Sequence, residues 1–414
     1  MNSKKKLLII YLYPYIFRKF HWEQNELKYY KEFADVEIHE LYKIEHPSIS
    51  CFNKLSFSEN KYIKTFTCFR EWKLYFLNII AFAKKKNKKI LVIKPEAHTF
   101  FGLKLSFFLK KNHINYVYFS TPAIPDYKTQ ALNVNFILKI IFKLFNFFRM
   151  PIYSLIILKN IIIKKIEIYL NLMPLAIFAS GKKWINYLKE NIKNTKIFSI
   201  HSLDYSNFII NSYKKKRLVK QDYAVFINLP DLGKKSLTDA NIFKKNLSWI
   251  KNEHEWYYNL NKFFDKLEEL FKLKIVIALH PKSEITKINK TTFNRRRLFL
   301  GKTQDLVKYC KFAITMGSTA VSYAVIYKKP VLYIYSDGSK KDYSIDRYHD
   351  FLKSFLNSKR LSINNTNIKK KDVINHNLNI KKYLLYKQNY LSCKKNNLPN
   401  YQIFYNEFIK DYLK

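Results

Sequence analysis

Glycine, acidic side chains and cysteine are all scarce in this chain. It holds 6 glycines in 414 residues, 31 Asp and Glu against 75 Lys and Arg, and 4 cysteines. Cys51, Cys68, Cys310 and Cys393 are scattered, with no CxxC pair and no histidine at metal-ligand spacing. That pattern excludes a cysteine-built metal module and points to free thiols in a reducing compartment. The shortage of acids leaves a formal net charge of +44. Two explanations stay open. One is attraction to an anionic surface such as a phosphate-rich ligand, nucleic acid or acidic lipid. The other is codon bias, since Lys, Asn, Ile, Tyr and Phe are inflated together, as an AT-rich genome would produce. No RNA-recognition signature, zinc-finger spacing or helix-turn-helix pattern accompanies the charge. The first residues, MNSKKKLLIIYLYPYIF, place lysines before an apolar stretch. No small-residue cleavage site follows and the run breaks at Pro14 and Arg18, so a buried first strand explains it better than a signal peptide.

What is present is ample apolar material, 48% of the chain, arranged as an alternation of short apolar runs and helix-periodic stretches. Strands are expected at Lys6 to Leu12, Val36 to Leu41, Lys89 to Ile93, Tyr116 to Ser120, Ala176 to Ser180 and Lys196 to Ile200, with helices at Glu71 to Lys86 and Gly102 to Lys111. A polar, basic stretch near residues 205 to 221 reads as a domain boundary. Tyr223 to Leu229 opens a second sheet, and a long helix follows within Ile242 to Leu273. This is the rhythm of an α/β protein with doubly wound sheets. The expected organisation is a Rossmann-like domain over 1–210, a second over 221–340, and a helical and loop extension over 341–414.

Residues 133–172 stand apart. Asn135, Lys139, Lys143, Asn146 and Arg149 recur at three- and four-residue steps and form one polar stripe on an apolar helix. No charge-free stretch there approaches the ~20 residues a bilayer span requires. The segment reads either as core helices of the first domain or as a basic amphipathic surface lying on a membrane, with lysines and arginines meeting acidic headgroups.

The chemistry concentrates at residues 275–337. The run IVIAL stops at His280-Pro281-Lys282, because proline cannot continue a central strand. A second run stops at Gly317-Ser318-Thr319, before a helix-compatible stretch. Imidazole, ammonium and a hydroxyl-rich helix start are all suited to a phosphate, and ligands of open parallel sheets bind at the carboxyl ends of strands. Each feature has a plainer reading: a capping histidine, and a helix N-cap at Ser318 or Thr319. Gly301-Lys302-Thr303 precedes another helix. It is not a P-loop, since Arg296 stands where the upstream glycine would be. It reads as a loop near a nucleotide base or ribose, or as a simple cap by Thr303.

Taken in order, HPK, GKTQDLV and GSTAVSYAVIYKKPVLYI resemble the C-terminal half of bacterial GT-B glycosyltransferases that build capsular polysaccharide and lipopolysaccharide, above all the sialyltransferase and polysialyltransferase families with their HP and Ser/Thr motifs. The resemblance spans residues 223–337; the first half matches in layout alone. It implies a GT-B-like fold of two doubly wound Rossmann-like domains facing a cleft. It implies transfer of a sugar from a nucleotide-sugar donor, CMP-sugar favoured, to a cell-surface glycan or lipid-linked acceptor, without a metal or other cofactor, and it leans towards inversion. His280, Pro281, Lys282, Gly301, Lys302, Thr303, Gly317, Ser318 and Thr319 would then hold the donor, with His280 also stabilising the leaving phosphate. The family's acidic-acidic-glycine base motif is missing. Glu96, directly after a strand, is the preferred base, followed by Glu23; Glu26, Asp126 and Asp231 are further carboxylates near strand exits. A CDP-glycerol-type glycerophosphotransferase or a sugar-nucleotide epimerase shares the layout. A basic membrane- or nucleic-acid-binding scaffold is the alternative outside enzymes, although strand-exit chemistry argues against it, and nucleic acid is not an expected partner. The expected location is cytoplasmic, with a peripheral position on the inner face of the bacterial membrane as its variant.

Overall fold

A computed structural model describes residues 5–45, 61–95, 99–121, 151–212, 217–228, 252–281, 283, 291–336, 350, 352–365, 367–375, 377–394 and 396–414, the side chains of 151–158, 161 and 253 excepted. The chain divides into two compact units. One comprises the described residues up to His201 together with Leu398–Lys414; the other is built from Ser202–Asn397. The division falls before the polar stretch that the sequence marks as a boundary. Residues 341–414 are also not one extension: most of them belong with the second unit, and the last seventeen with the first.

Among the described residues the first unit contains seven parallel strands: β1 (Leu7–Tyr13), β2 (Asp35–Glu40), β3 (Ile63–Thr65), β4 (Lys89–Lys94), β5 (Asn115–Ser120), β6 (Ala176–Ser180) and β7 (Lys196–Ile200), in the order β3-β2-β1-β4-β5-β6-β7. The second contains β8 (Tyr223–Ile227), β9 (Lys274–Leu279), β10 (Leu298–Leu300), β11 (Ala313–Thr315), β12 (Val331–Tyr335) and β13 (Lys359–Ser362), in the order β10-β9-β8-β11-β12-β13. Every pairing is parallel. Strands covered on both faces read as unbroken apolar runs rather than alternations. YAVFI of β8 and AIFAS of β6 are buried throughout for that reason.

The side chains of β8 show both layers. Val225 and Ile227 enter one core with Leu306, Val321 and Tyr383, whereas Ala224 and Phe226 enter another with Leu260, Phe264 and Leu267 of the helix Glu253–Phe271. Both sheets follow one rule. The chain builds outward from a central strand on one side (β1 to β3, β8 to β10), then returns to the far side of that strand (β4, β11). Two neighbouring loops therefore leave the sheet in opposite directions, between β1 and β4 and between β8 and β11, and a crevice opens at the carboxyl ends there. The fold is α/β with two doubly wound parallel sheets, as the sequence rhythm indicates.

Candidate functional site

In the second unit the three strand exits around that crevice are level. Ile227 of β8 pairs with Ala278 of β9 and with Thr315 of β11. Adjacent strands lie about 4.8 Å apart, so the ends of β9 and β11 are about 10 Å apart with β8 between them. His280-Pro281, Asn228 and the turn Met316–Thr319 thus share one edge of the sheet. His280 and the Gly317-Ser318-Thr319 turn, singled out separately in the sequence, flank the strand that starts the fold.

Asn228 lies between them. Its backbone N–H donates to the Ala278 carbonyl at 3.0 Å, which prolongs the ladder by one residue. Its side chain is 2% exposed, and its Oδ1 has no hydrogen-bond partner among the described residues. A buried amide oxygen left unpaired costs about 1–3 kcal/mol, and the residues that follow Asn228 in the chain lie outside the described ones. Ser283 repeats the pattern beside β9. Its N–H donates to the His280 carbonyl at 2.8 Å, closing a turn over Pro281, and its buried Oγ has no partner among the described residues. Neither residue stood out in the sequence. The signal for Asn228 was present: a polar residue ending the otherwise apolar run YAVFI.

The Ser/Thr turn differs from its expected form. The helix after it is short, Val321–Ile326, and Ala320 occupies the N-cap without a side-chain bond. Thr315 Oγ1 accepts from the Gly317 and Ser318 amides at 3.2 and 3.0 Å, and Ser318 Oγ accepts from the Ala320 amide at 3.3 Å. Two amides expected to face an anion are therefore satisfied by a threonine inside the turn. Gly317 has φ +107°, a conformation that a side chain would strain. Ser318 is buried and Thr319 exposed. Behind the turn, Asp204 on the helix Leu203–Asn211 accepts from Ser322 Oγ at 2.6 Å. Burial raises the Asp204 carboxyl to about 6, with Ser322 and Tyr323 hydroxyls opposing the rise. Gly301 and Lys302 are exposed after β10, two strands from β8. Lys302, not Thr303, is the N-cap there; Thr303 is the first helical residue. Lys282 lies outside the described residues.

The first unit carries a second polar cluster at its own carboxyl edge. Lys94, which ends β4, is 1% exposed. Its Nζ donates to Tyr118 Oη at 3.1 Å and lies 5.1 and 5.8 Å from the Tyr118 and Tyr116 ring centres. Glu45, at the end of the helix Tyr42–Glu45 after β2, accepts from Thr99 Oγ1 at 3.3 Å. Burial pushes its carboxyl upward, against the Thr99 bond and the Lys94 charge. Tyr15, after β1, is raised by burial and by Glu45. His21 Nδ1 accepts from the Arg18 amide at 2.9 Å, so the neutral ring carries its proton on Nε2 and donates to Tyr13 Oη at 2.8 Å.

The sequence-chosen carboxylates fare differently. Glu23 is exposed on the helix Lys19–Gln24. Glu26 is buried and its Oε2 accepts from the Tyr401 amide at 2.7 Å, a structural role. Glu96, Asp126 and Asp231 lie outside the described residues. Glu40, at the end of β2, accepts from the Phe17 amide and Thr65 Oγ1, both at 2.7 Å. Glu45 was missed because it lies five residues past the end of β2, and only the pairing of β2 with β1 and β1 with β4 brings it beside the β4 exit.

Among the described residues no group of three His, Cys, Asp or Glu side chains is placed to hold a metal. No family model and no curated protein matches the sequence. Solved structures similar to the chain include the UDP-GlcNAc 2-epimerase of Methanocaldococcus jannaschii, described in complex with UDP-GlcNAc and UDP, at 13% identity and TM-score 0.44 over 98% of this chain and 99% of that one. The glycosyltransferase SnogD of Streptomyces nogalater is similar at 8% identity and TM-score 0.42 over 93% and 95%. The UDP-GlcNAc 2-epimerase of Neisseria meningitidis bound to UDP-GlcNAc follows at 11% identity and TM-score 0.40 over 79% and 81%. Likeness at these levels carries no assignment of activity to this chain.

Proposed function

We propose that this chain is a nucleotide-sugar enzyme of the glycosyltransferase class. In this reading the second unit takes the donor at the carboxyl edge between β8 and β11, and the first unit takes the acceptor. The observation that carries it is the buried Asn228 amide oxygen, without a partner among the described residues, between the His280 exit and the Thr315–Thr319 turn at one level of the sheet. A nucleotide has hydroxyl and amino hydrogens to donate to that oxygen, while His280 and Thr319 stand at the same edge for its phosphate. The HPK and GSTA motifs support a donor of the CMP-sugar kind and a cell-surface glycan as acceptor. An acceptor hydroxyl needs a base within hydrogen-bond reach. Glu45 has the surroundings of one: burial raises its affinity for a proton, and Thr99 orients it. Glu96 keeps its place as the alternative, two residues beyond Lys94. As the donor bond breaks, His280 stabilises charge on the leaving phosphate, a task for which one donor commonly contributes roughly 3–4 kcal/mol.

The test is a thermal-shift screen of the full chain against CMP-, CDP- and UDP-sugars. A ligand at about a hundred times its Kd stabilises by about 2.7 kcal/mol, which raises the melting of a unit this size by roughly 5–10 °C. Asn228→Leu is expected to abolish that shift while the ligand-free protein still melts cooperatively. With the donor found, His280→Ala should lower turnover about a hundredfold or more. A panel with no responding nucleotide, combined with salt-sensitive nucleic-acid binding, would replace this reading with a basic scaffold. A nucleotide sugar altered without any acceptor would replace transfer with epimerisation.

A further inference from the structure

The outer surface of the first unit presents large apolar side chains among lysines. The helices Phe100–Lys111 and Pro151–Tyr169 run side by side in one direction, since each leads into the next parallel strand. Lys159 Nζ lies 4.7 Å from the Phe100 ring centre, and Lys110 Nζ donates to the Leu170 carbonyl at 2.6 Å, so two contacts tie the helices together. Their inner faces bury Leu105, Phe108, Leu109 and Ile163. Their outer faces leave Phe100 63%, Phe107 56%, Ile162 48% and Tyr169 88% exposed. Lys104, Lys110, Lys111, Lys159 and Lys165 are exposed on the same helices. Helix Phe100–Lys111 contains no acid, and Glu167, the single acid of the other helix, is buried.

We infer that this face docks on an anionic lipid bilayer. Leaving a Phe or Ile side chain in water instead of burying it forgoes about 1.5–3 kcal/mol, a cost that the interfacial region of a bilayer removes. Lysines around such side chains gain about 1 kcal/mol each near acidic headgroups. A second copy of the chain fits less well, because a symmetric contact would set lysines against lysines. Nucleic acid fits less well too, since Ile162 is an aliphatic side chain that offers no stacking face. The protein would lie on the surface rather than cross it: no helix among the described residues is long and apolar enough to span a membrane. The inference stands apart from the nucleotide site, which belongs to the other unit.

The test is co-sedimentation of the full chain with phosphatidylcholine vesicles containing phosphatidylglycerol, against pure phosphatidylcholine. Because the whole chain is strongly basic, charge alone would give some binding. The deciding comparison is between Phe100→Ser with Phe107→Ser and a charge control, Lys262→Gln with Lys274→Gln, on the second unit. The aromatic pair is expected to weaken partitioning into the acidic vesicles at least tenfold with unchanged melting, and the charge control to change it less than twofold. Ile162→Ser with Tyr169→Ser, on the neighbouring helix, should repeat the aromatic result and covers the case in which the first pair fails to fold. Equal losses from both kinds of variant, no preference for acidic vesicles, or a concentration-dependent dimer abolished by the aromatic substitutions would each overturn the inference.

Discussion

Deleting Leu398–Lys414 is expected to abolish the cooperative melting of the first unit, although these residues follow the second unit in sequence. Ile403, Phe404, Phe408 and Ile409 lie in the same core as Leu7, Ile9, Leu91, Val117 and Phe178. Phe404 meets Phe178 edge-on at 4.9 Å and also contacts Phe119 and Tyr30 at 5.3 and 5.4 Å between ring centres. Phe408 packs on Phe178 and Phe198. The segment is also tied by polar bonds. Asn400 accepts from the His201 amide and donates to its carbonyl, both at 2.9 Å, and Tyr412 Oη donates to the Ile90 carbonyl at 2.8 Å. One buried Phe cut to Ala costs about 3–5 kcal/mol. Removing two Phe and two Ile core side chains together costs about 10–20 kcal/mol, enough to match or exceed the roughly 5–15 kcal/mol that ordinarily separates folded from unfolded domains. The single variant Phe404→Ala should lower the melting temperature of the unit by roughly 10 °C. Circular dichroism and limited proteolysis read both, and a truncated chain melting like the full one would refute this packing.

Asp204→Asn is expected to stabilise the second unit at pH 8 and to lose that advantage in acid. Asp204 is 9% exposed, its carboxylate meets the Ser322 and Tyr323 hydroxyls, and burial raises it from 3.8 to about 6. A carboxyl raised on folding binds its proton more tightly in the folded state. Its contribution is therefore most favourable below pH 4 and is lost as pH rises through about 6. About two pH units at 1.36 kcal/mol each amount to roughly 3 kcal/mol above pH 7. Asparagine keeps an oxygen for Ser322 and carries no charge, so the melting difference between variant and parent should grow by roughly 5–10 °C between pH 4.5 and pH 8. A difference that does not change with pH would show that Asp204 does not titrate in this range. The residue lies behind the helix that follows the Ser/Thr turn. Whether the turn needs it can be read from nucleotide affinity in the same variant.

Much of the architecture is legible in the order of residues. The run AIFAS becomes β6 at the bounds its apolar content suggests, the run IVIAL lies within β9, and the stops at His280-Pro281 and Gly317 follow true strand ends. Burial on both faces leaves a local imprint, a short unbroken apolar run, that needs no knowledge of neighbours. Edge strands leave less. Ile63–Thr65 and Lys359–Ser362 hold few apolar residues and are strands because β2 and β12 offer them a free ladder. The helix Leu203–Asn211 falls in a stretch that reads as a linker, since its amphipathic face has meaning only against the second unit's core.

The sequence by itself determined a doubly wound α/β protein, two sheets and the chemistry available at the strand exits, because hydrophobic period and chain-breaking residues act over a few neighbours. The tertiary structure alone decided which exits share a crevice, that Thr315 rather than a ligand satisfies the Ser/Thr turn, that Glu45 joins Lys94 and Thr99, and that the last seventeen residues complete the first core. Those outcomes depend on pairings such as His201 with Asn400 and Asp204 with Ser322, between residues more than a hundred positions apart. Strand order and long-range packing select such partners, and no local pattern encodes them.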